Sequence, residues 1–339
     1  SLPVIVKLTP NVTDIRVVSE AKVILGESPQ WDADTNRLYW IDSMKRQILR
    51  CAPDGSDLKQ WEVPSLLGFL VLRQKGGAVL GLAEGFTMFD FASGERELIG
   101  NPQPGVEGVR LNDGKVDRQG RIVAGTLDYV LYERREPPPP SRGGLFRLDP
   151  DRTIHQLDAG IGCSNGPCWS PDGSRFYFAD SWTGDLWSYD YDVRTGTPSN
   201  RRVIDHRLDS TPSGGPIAPD GATVDAEGYL WSVVTNGGEI RRYAPDGTLD
   251  RRLEMPLPGL SSVMFGGPEL DILFVTTLGF KRNPEHGRRR SRRVIDRRSG
   301  VPANGRSHRG AAVFFCAIQP AKRGSTRPRT PRPRTANSL

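Results

Sequence analysis

Trp169-Ser170-Pro171-Asp172-Gly173-Ser174-Arg175-Phe176-Tyr177-Phe178 decides the architecture of this chain. An apolar residue leads into an Asp-Gly turn, and an aromatic run follows. Asp and Gly adopt the backbone conformations that a tight reversal between two strands needs. The pattern returns at Trp31-Asp32-Ala33-Asp34-Thr35-Asn36-Arg37-Leu38-Tyr39-Trp40, at Val116-Asp117-Arg118-Gln119-Gly120-Arg121-Ile122-Val123 and at Val224-Asp225-Ala226-Glu227-Gly228-Tyr229-Leu230-Trp231. A looser copy spans 265–275, and a weaker unit lies around 76–82. Second runs that end in further turns often follow, as in 48–55, 145–150 and 240–247. Units of roughly 45–55 residues with about four strands each predict the blades of an all-β propeller. Six such units can be counted, the second poorly marked, and no strong helical period competes. Trp31, Trp40, Trp169, Trp187 and Trp231 read as residues that pack one blade on the next.

The chain has 339 residues, enough for a substantial core, and its 38 Gly and 28 Pro suit a turn-rich β protein. No run approaches the ~18 apolar residues of a membrane-spanning helix. The segment 1–18 carries charges and lacks a signal-type apolar core, so a cytoplasmic setting is expected. Cys51, Cys163, Cys168 and Cys316 do not make a disulfide framework in a chain this long, and the Cys163/Cys168 pair lacks the second pair of ligands a zinc knuckle requires.

The net charge of +6 hides two unlike parts. Residues 281–339 hold 17 Lys and Arg against 2 Asp and Glu, whereas residues 1–280 hold 29 against 38. The expected organisation is therefore an acidic propeller over 1–280 and a basic Arg/Pro-rich tail over 281–339 that builds no core. One reading of the tail is a segment for nucleic acid or another anionic surface. The other, favoured one is GC-rich coding DNA read out of frame, because no aromatic interleaving or RNA-binding motif accompanies the arginines. An insertion at 132–142, with Pro137 to Pro140, reads as a polyproline loop, either simply exposed or lying over the site as a lid.

Four short segments carry the candidate chemistry: Gly26-Glu27-Ser28-Pro29, Arg110-Leu111-Asn112-Asp113-Gly114-Lys115, Ser164-Asn165-Gly166-Pro167 and Pro219-Asp220-Gly221. Most stand just before a strand-like run, and repeated units would each deliver one residue to a shared centre. A Glu, an Asn and an Asp meeting there form an oxygen-ligand cation site. Any one Asp-Gly or Asn-Gly pair is ordinarily just a turn; the ordered set is what carries the reading. Arg110 and Asn112 alternate along a strand and are expected to face the same side. Lys115 and Asp117 read as strand and hairpin residues, and His155 as a strand residue of the third blade. There is no nucleophile elbow, phosphate-cradling loop or dinucleotide fingerprint.

These motifs, together with Val263-Met264-Phe265-Gly266-Gly267, resemble the SMP-30/gluconolactonase/regucalcin family from about residue 15 to about residue 280. The resemblance implies a six-bladed propeller that hydrolyses a small sugar lactone to its aldonic acid. It implies one divalent cation (calcium, zinc, manganese or magnesium) held by Glu27, Asn165 and Asp220. It places Arg110 and Asn112 on the sugar. A further family acid has no clear match because Val130 falls near its position, and Asp128 is the expected substitute. Asp220 is the candidate general base, with direct attack by a cation-bound hydroxide left open. Alternatives are a propeller esterase for a non-sugar lactone and a non-catalytic calcium-binding propeller. No membrane or nucleic-acid partner is expected. After 276–280 the family pattern stops, which predicts a last blade lacking its closing strand.

Overall fold

Every Asp-Gly or Gly-rich reversal read from the sequence joins two antiparallel strands. Trp169 pairs with Phe176, Trp31 with Leu38, Val116 with Ile122, Val224 with Leu230 and Gly266 with Ile272. The computed structural model describes residues 5–9, 12–19, 21–133, 141–207, 209–210 and 216–279. The insertion's four prolines and the tail, with the readings made of them, lie outside the described residues.

A hairpin of β1 (Ile5–Thr9) and β2 (Val12–Arg16) comes first. The first blade is β3 (Gly26–Asp32), β4 (Arg37–Asp42), β5 (Gln47–Cys51) and β6 (Lys59–Glu62). The second is β7 (Leu67–Leu72), β8 (Ala78–Leu82), β9 (Gly85–Phe89) and β10 (Arg96–Gly100). The third is β11 (Val109–Val116), β12 (Ile122–Asp128), β13 (Gly143–Leu148) and β14 (Ile154–Ile161), with a single short helix α1 (Tyr129–Glu133) after β12. The fourth is β15 (Ser164–Trp169), β16 (Arg175–Asp180), β17 (Asp185–Asp192) and β18 (Thr197–His206). The fifth is β19 (Asp209–Ser210), β20 (Pro216–Val224), β21 (Leu230–Thr235), β22 (Glu239–Tyr243) and β23 (Leu249–Glu254). Last come β24 (Leu260–Gly266) and β25 (Ile272–Thr277).

The expectation of six blades is corrected at this point. Among the described residues five blades are complete, and the sixth place in the ring holds only the β24–β25 pair. Any further strand from the chain after β25 would have to come from residues beyond those described. β1 packs beside β25 without entering its ladder. The ring nonetheless closes. Strands β3, β7, β11, β15, β20 and β24 each touch the next, and β24 returns to β3. Leu25 bridges Leu278, and the Gly279 amide donates to the Ile24 carbonyl.

The core lies between blades. Leu38, Trp40 and Leu49 of the first blade pack with Phe274 of β25 and with Val18 and Val23. Trp31 stacks on the same Phe274 ring at 5.7 Å between centroids. Phe69, Val71 and Phe86 of the second blade meet Leu111, Ile122, Ala124 and Leu148 of the third. Each such side chain contributes about 1.5–3 kcal/mol when fully buried. The outer strands β10, β14, β18 and β23 are largely exposed and polar or charged. That composition guards open sheet edges against pairing with another chain.

One feature of the six central strands positions the site. All of them break register at the corresponding place: between Glu27 and Gln30, Leu67 and Leu70, Leu111 and Gly114, Asn165 and Cys168, Pro219 and Ala222, and Leu260 and Val263. A bulge bends its strand and re-aims the side chains beside it. Four of these six bulges fall within the segments singled out for chemistry.

Candidate active site

Glu27 sits at the bulge of β3, where Ser28 takes a left-handed backbone conformation (φ 49°). That strain is held from the next blade: the Leu70 amide donates to Ser28 Oγ at 3.0 Å, and the hydroxyl donates back to the Leu70 carbonyl at 3.3 Å. In β15, Asn165 Nδ2 donates to Ser181 Oγ at 2.7 Å, which fixes the amide's orientation. Its Oδ1 accepts from Asn112 Nδ2 at 3.1 Å, and Asn112 Nδ2 also donates to the Ser164 carbonyl at 2.8 Å. Gly166 has φ 62°, and a Cβ there would lie 2.9 Å from the Asp220 carbonyl oxygen, so β15 and β20 approach closely at this point. Asp220 in β20 is buried and accepts hydrogen bonds from the Gly221 amide and the Thr235 hydroxyl.

Arg110 and Asn112 do share one side of β11. Arg110 Nη1 donates to Asn112 Oδ1 at 3.1 Å and to the Leu111 carbonyl at 2.7 Å, and its guanidinium lies over the Tyr129 ring at 5.3 Å. Arg110 Nε is buried without a protein acceptor.

The electrostatics are those of crowded carboxylates. Burial, then the charges of Asp220 and Asp113, push the Glu27 carboxyl well above the usual range, and Arg110 only partly offsets them. Burial and Asp113 likewise raise Asp220. Glu27 keeps partial exposure while protein surrounds it on most sides. Among the described residues no three His, Cys, Asp or Glu side chains form a metal cluster by themselves. The donor set is two carboxylates and an amide oxygen. Like-charged oxygens with one opposing guanidinium fit a hard divalent cation, whose charge would relieve their repulsion.

Asp128 does not join this group. It is almost fully buried at the end of β12, with Arg142 donating from Nε to Oδ2 at 2.9 Å and from Nη2 to Oδ1 at 2.5 Å, and the Val130 amide donating to Oδ1 at 3.2 Å. Asp42 and Asp180 occupy the matching positions at the ends of β4 and β16. Asp42 accepts from the Ile24 and Lys45 amides, and Asp180 from the Gly162, Cys163 and Trp182 amides. Asp128, expected on the sugar, has its oxygens engaged by Arg142 and the Val130 amide, as Asp42 and Asp180 are engaged by backbone amides. Replacing Arg142 with Ala leaves a buried carboxylate short of partners. The expected result is a loss of about 1–3 kcal/mol, read as a fall of several degrees in thermal unfolding. An unchanged Tm would show the pair to be dispensable.

Two residues that sequence reasoning assigned elsewhere, or passed over, belong beside the site. Asp113 accepts from the Gly114 and Gly166 amides, both at 2.8 Å. Lys115, read as a strand residue, is buried and donates from Nζ to the Ala222 carbonyl. His155, by contrast, is half-exposed on β14 and pairs with Asp149 at 3.1 Å. The described cysteines form no disulfide, and no described helix is long and apolar enough to cross a membrane.

Fold and site together define an all-β propeller with a carboxylate–amide centre built from the bulges of its central strands. The profile of the SMP-30/Gluconolactonase/LRE-like region matches residues 25–279. Regucalcin of Xenopus laevis is 32% identical over 266 residues, 77% of this chain and 85% of that protein. Pentonolactonase XacC of Haloferax volcanii is 34% identical over 260 residues, 75% of this chain and 82% of its own. The crystal structure of regucalcin from Agrobacterium tumefaciens, described as a calcium-binding protein, superposes with a TM-score of 0.69 at 25% identity, over 79% of this chain and 87% of that one. The chain belongs to the SMP-30/gluconolactonase/LRE-like family.

Proposed function

We propose that this protein is a cation-dependent hydrolase that opens a sugar lactone to its aldonic acid. The observation that carries the reading is that β3, β15 and β20 bring Glu27, Asn165 and Asp220 to the same set of bulges as Arg110 and Asn112. The pentonolactonase activity named for the Haloferax volcanii relative supports the substrate class. Glu27, Asn165 and Asp220 would hold calcium, zinc, manganese or magnesium. When bound, the cation supplies charge stabilisation for the carbonyl oxygen and acidifies water. Asp220 takes the proton of the attacking water and returns it to the departing ring oxygen. Arg110, with its buried Nε lacking a protein acceptor, holds a substrate oxygen, and Asn112 orients both Arg110 and Asn165. The same reading takes 1–280 as the propeller domain, supported by the closed ring of central strands, and 281–339 as a separate Arg/Pro-rich tail.

A second reading, a calcium-binding propeller without turnover, is favoured by the description of the Agrobacterium tumefaciens relative. Proton release from a panel of aldono-lactones separates the two. The protein is stripped with chelator and then given each of the four cations, with the Asp220→Asn variant as blank for spontaneous hydrolysis. Turnover restored by a cation supports the hydrolase. Folded protein that binds calcium but turns over no lactone, sugar or otherwise, supports the binding propeller. Turnover confined to non-sugar lactones makes it an esterase of that class.

A further inference from the structure

Lys115 begins on β11 of the third blade, and its ammonium reaches the Ala222 carbonyl on β20 of the fifth. In the ring of central strands β15 lies between these two. The side chain therefore passes β15 rather than packing on its own blade. Its partner oxygen stands at the end of the bulge that carries Asp220, where register resumes at Ala222. Two residues earlier on the same strand, Asp113 reaches the fourth blade through the Gly166 amide at 2.8 Å. Gly166 in turn lies against both the Asp220 carbonyl and Ala222, with a hypothetical Cβ at 2.9 Å from each. The three strands held this way, β11, β15 and β20, are those that carry Asn112, Asn165 and Asp220.

Lys115 also lines a cavity of about 180 Å³ beneath the site, with Trp31, Leu72, Arg118, Trp169 and Met264 among its other walls. None of Glu27, Arg110, Asn112, Asn165 or Asp220 lines it. Lys115 thus belongs both to this cavity and, through its ammonium, to the strand that carries Asp220.

We propose that Asp113 and Lys115 are positioning residues of the site, forming a strut across the channel that fixes the Asp220 bulge against the Asn112 and Asn165 strands. A buried ammonium bonded to a carbonyl keeps its place only while that carbonyl stays put, so the strut restrains the β20 backbone in return. Residues that support the groups around a bound ion commonly change its affinity or the reaction rate by about 10–100-fold when removed.

The inference rests on the hydrolase reading, and its test has an arm that does not. Lys115→Met keeps the length of the side chain and removes the bond; Lys115→Ala also opens a route from the cavity. Calorimetric titration of calcium or zinc into chelated protein is expected to give a dissociation constant raised about tenfold or more in Lys115→Met. Lactone hydrolysis is expected to lose kcat by a similar factor, with KM changed by less than about threefold, because Arg110 and Asn112 remain in place. In Lys115→Ala, ethylammonium added to the assay is expected to recover part of the loss, and ethanol none of it. Cation affinity and kcat both unchanged in folded Lys115→Met, with only a lowered Tm, would reduce the strut to a stability element and overturn the proposal. If the wild type hydrolyses no lactone, the hydrolase reading fails while the cation titration still decides the strut. If Lys115→Met does not fold, Asp113→Asn, which keeps its shape and exchanges one acceptor for a donor, is expected to show the same loss of affinity; unchanged affinity there overturns the proposal.

Discussion

Asp220→Asn is expected to lower kcat by about a thousandfold while the protein stays folded. The change keeps the shape of the side chain and one acceptor oxygen for the donors that Asp220 meets, the Gly221 amide and the Thr235 hydroxyl. It removes the proton acceptor for the attacking water, and it removes one of the two negative charges that would hold the cation. Both losses act on the reacting centre, so kcat falls more than KM rises. Stability moves the other way. Glu27 and Asp113 both bear on the Asp220 carboxylate or are borne on by it, and an amide ends that repulsion. In chelated protein at neutral pH the variant is therefore expected to melt above the wild type. Activity traded against local strain is common at such sites. Steady-state proton release and thermal unfolding of the two chelated proteins decide the matter. Activity within about tenfold of wild type would remove Asp220 from its role. A variant that melts lower would show that the carboxylates do not oppose one another.

The blades were legible wherever a turn and an alternating strand coincided, as at Trp169 to Phe176. The second blade was poorly marked for a physical reason. All of β7 and all of β8 are buried, so Leu67 to Leu72 reads as a continuous apolar run without polar alternation. Among the described residues the last sheet has two strands, β24 and β25, and in the sequence the family pattern stops after Phe280. The packing of β1 beside β25 was not legible, because no turn or motif links two segments so far apart in sequence.

Glu27, Asn165 and Asp220, the proposed cation ligands, stood out because each stands in a Gly- or Pro-bearing segment that a plain strand would not contain. Period-two alternation put Arg110 and Asn112 on one side of β11, as they are. That same rule hid Asp113, which alternation sends to the opposite face from Asn112. The bulge between Leu111 and Gly114 breaks the alternation, and both side chains reach β15. Lys115 was assigned to its own strand because nothing local shows that a side chain spans to Ala222. Asp128 was read as a substitute for the family's sugar-binding acid because Val130 falls near that acid's position. Its equivalence to Asp42 and Asp180 at the ends of β4 and β16 appears only once the strands are aligned in space.

The chelated protein is expected to lose stability as pH rises from about 5 to about 8, and the cation-loaded protein is expected not to. The sign follows from the direction of the carboxyl shifts. Burial, with like charge added for Glu27 and Asp220, raises the folded-state pKa of Glu27, Asp113 and Asp220 above the unfolded value. Below the unfolded value, about 4, these groups are protonated in both states and the shift has no effect. Above it the folded state holds protons that the unfolded state has released, so unfolding becomes easier with each increment of pH until the folded groups also ionise. The window thus opens near pH 4 and runs upward. Carboxylates shifted the other way, such as Asp172 at about 2, have finished titrating below this window and do not mask the slope. A bound divalent cation stabilises the ionised forms and removes the slope, while adding its own binding free energy to the folded state. The gap in Tm between loaded and chelated protein should therefore widen as pH rises. The measurement is thermal unfolding at several pH values with chelator and with saturating calcium or zinc. A chelated Tm that climbs with pH, or a gap that narrows, would mean that the three carboxyls are not held together as the fold places them. Asp220→Asn should flatten the chelated slope, since it removes one titrating group and lifts the like charge that Asp220 imposes on Glu27.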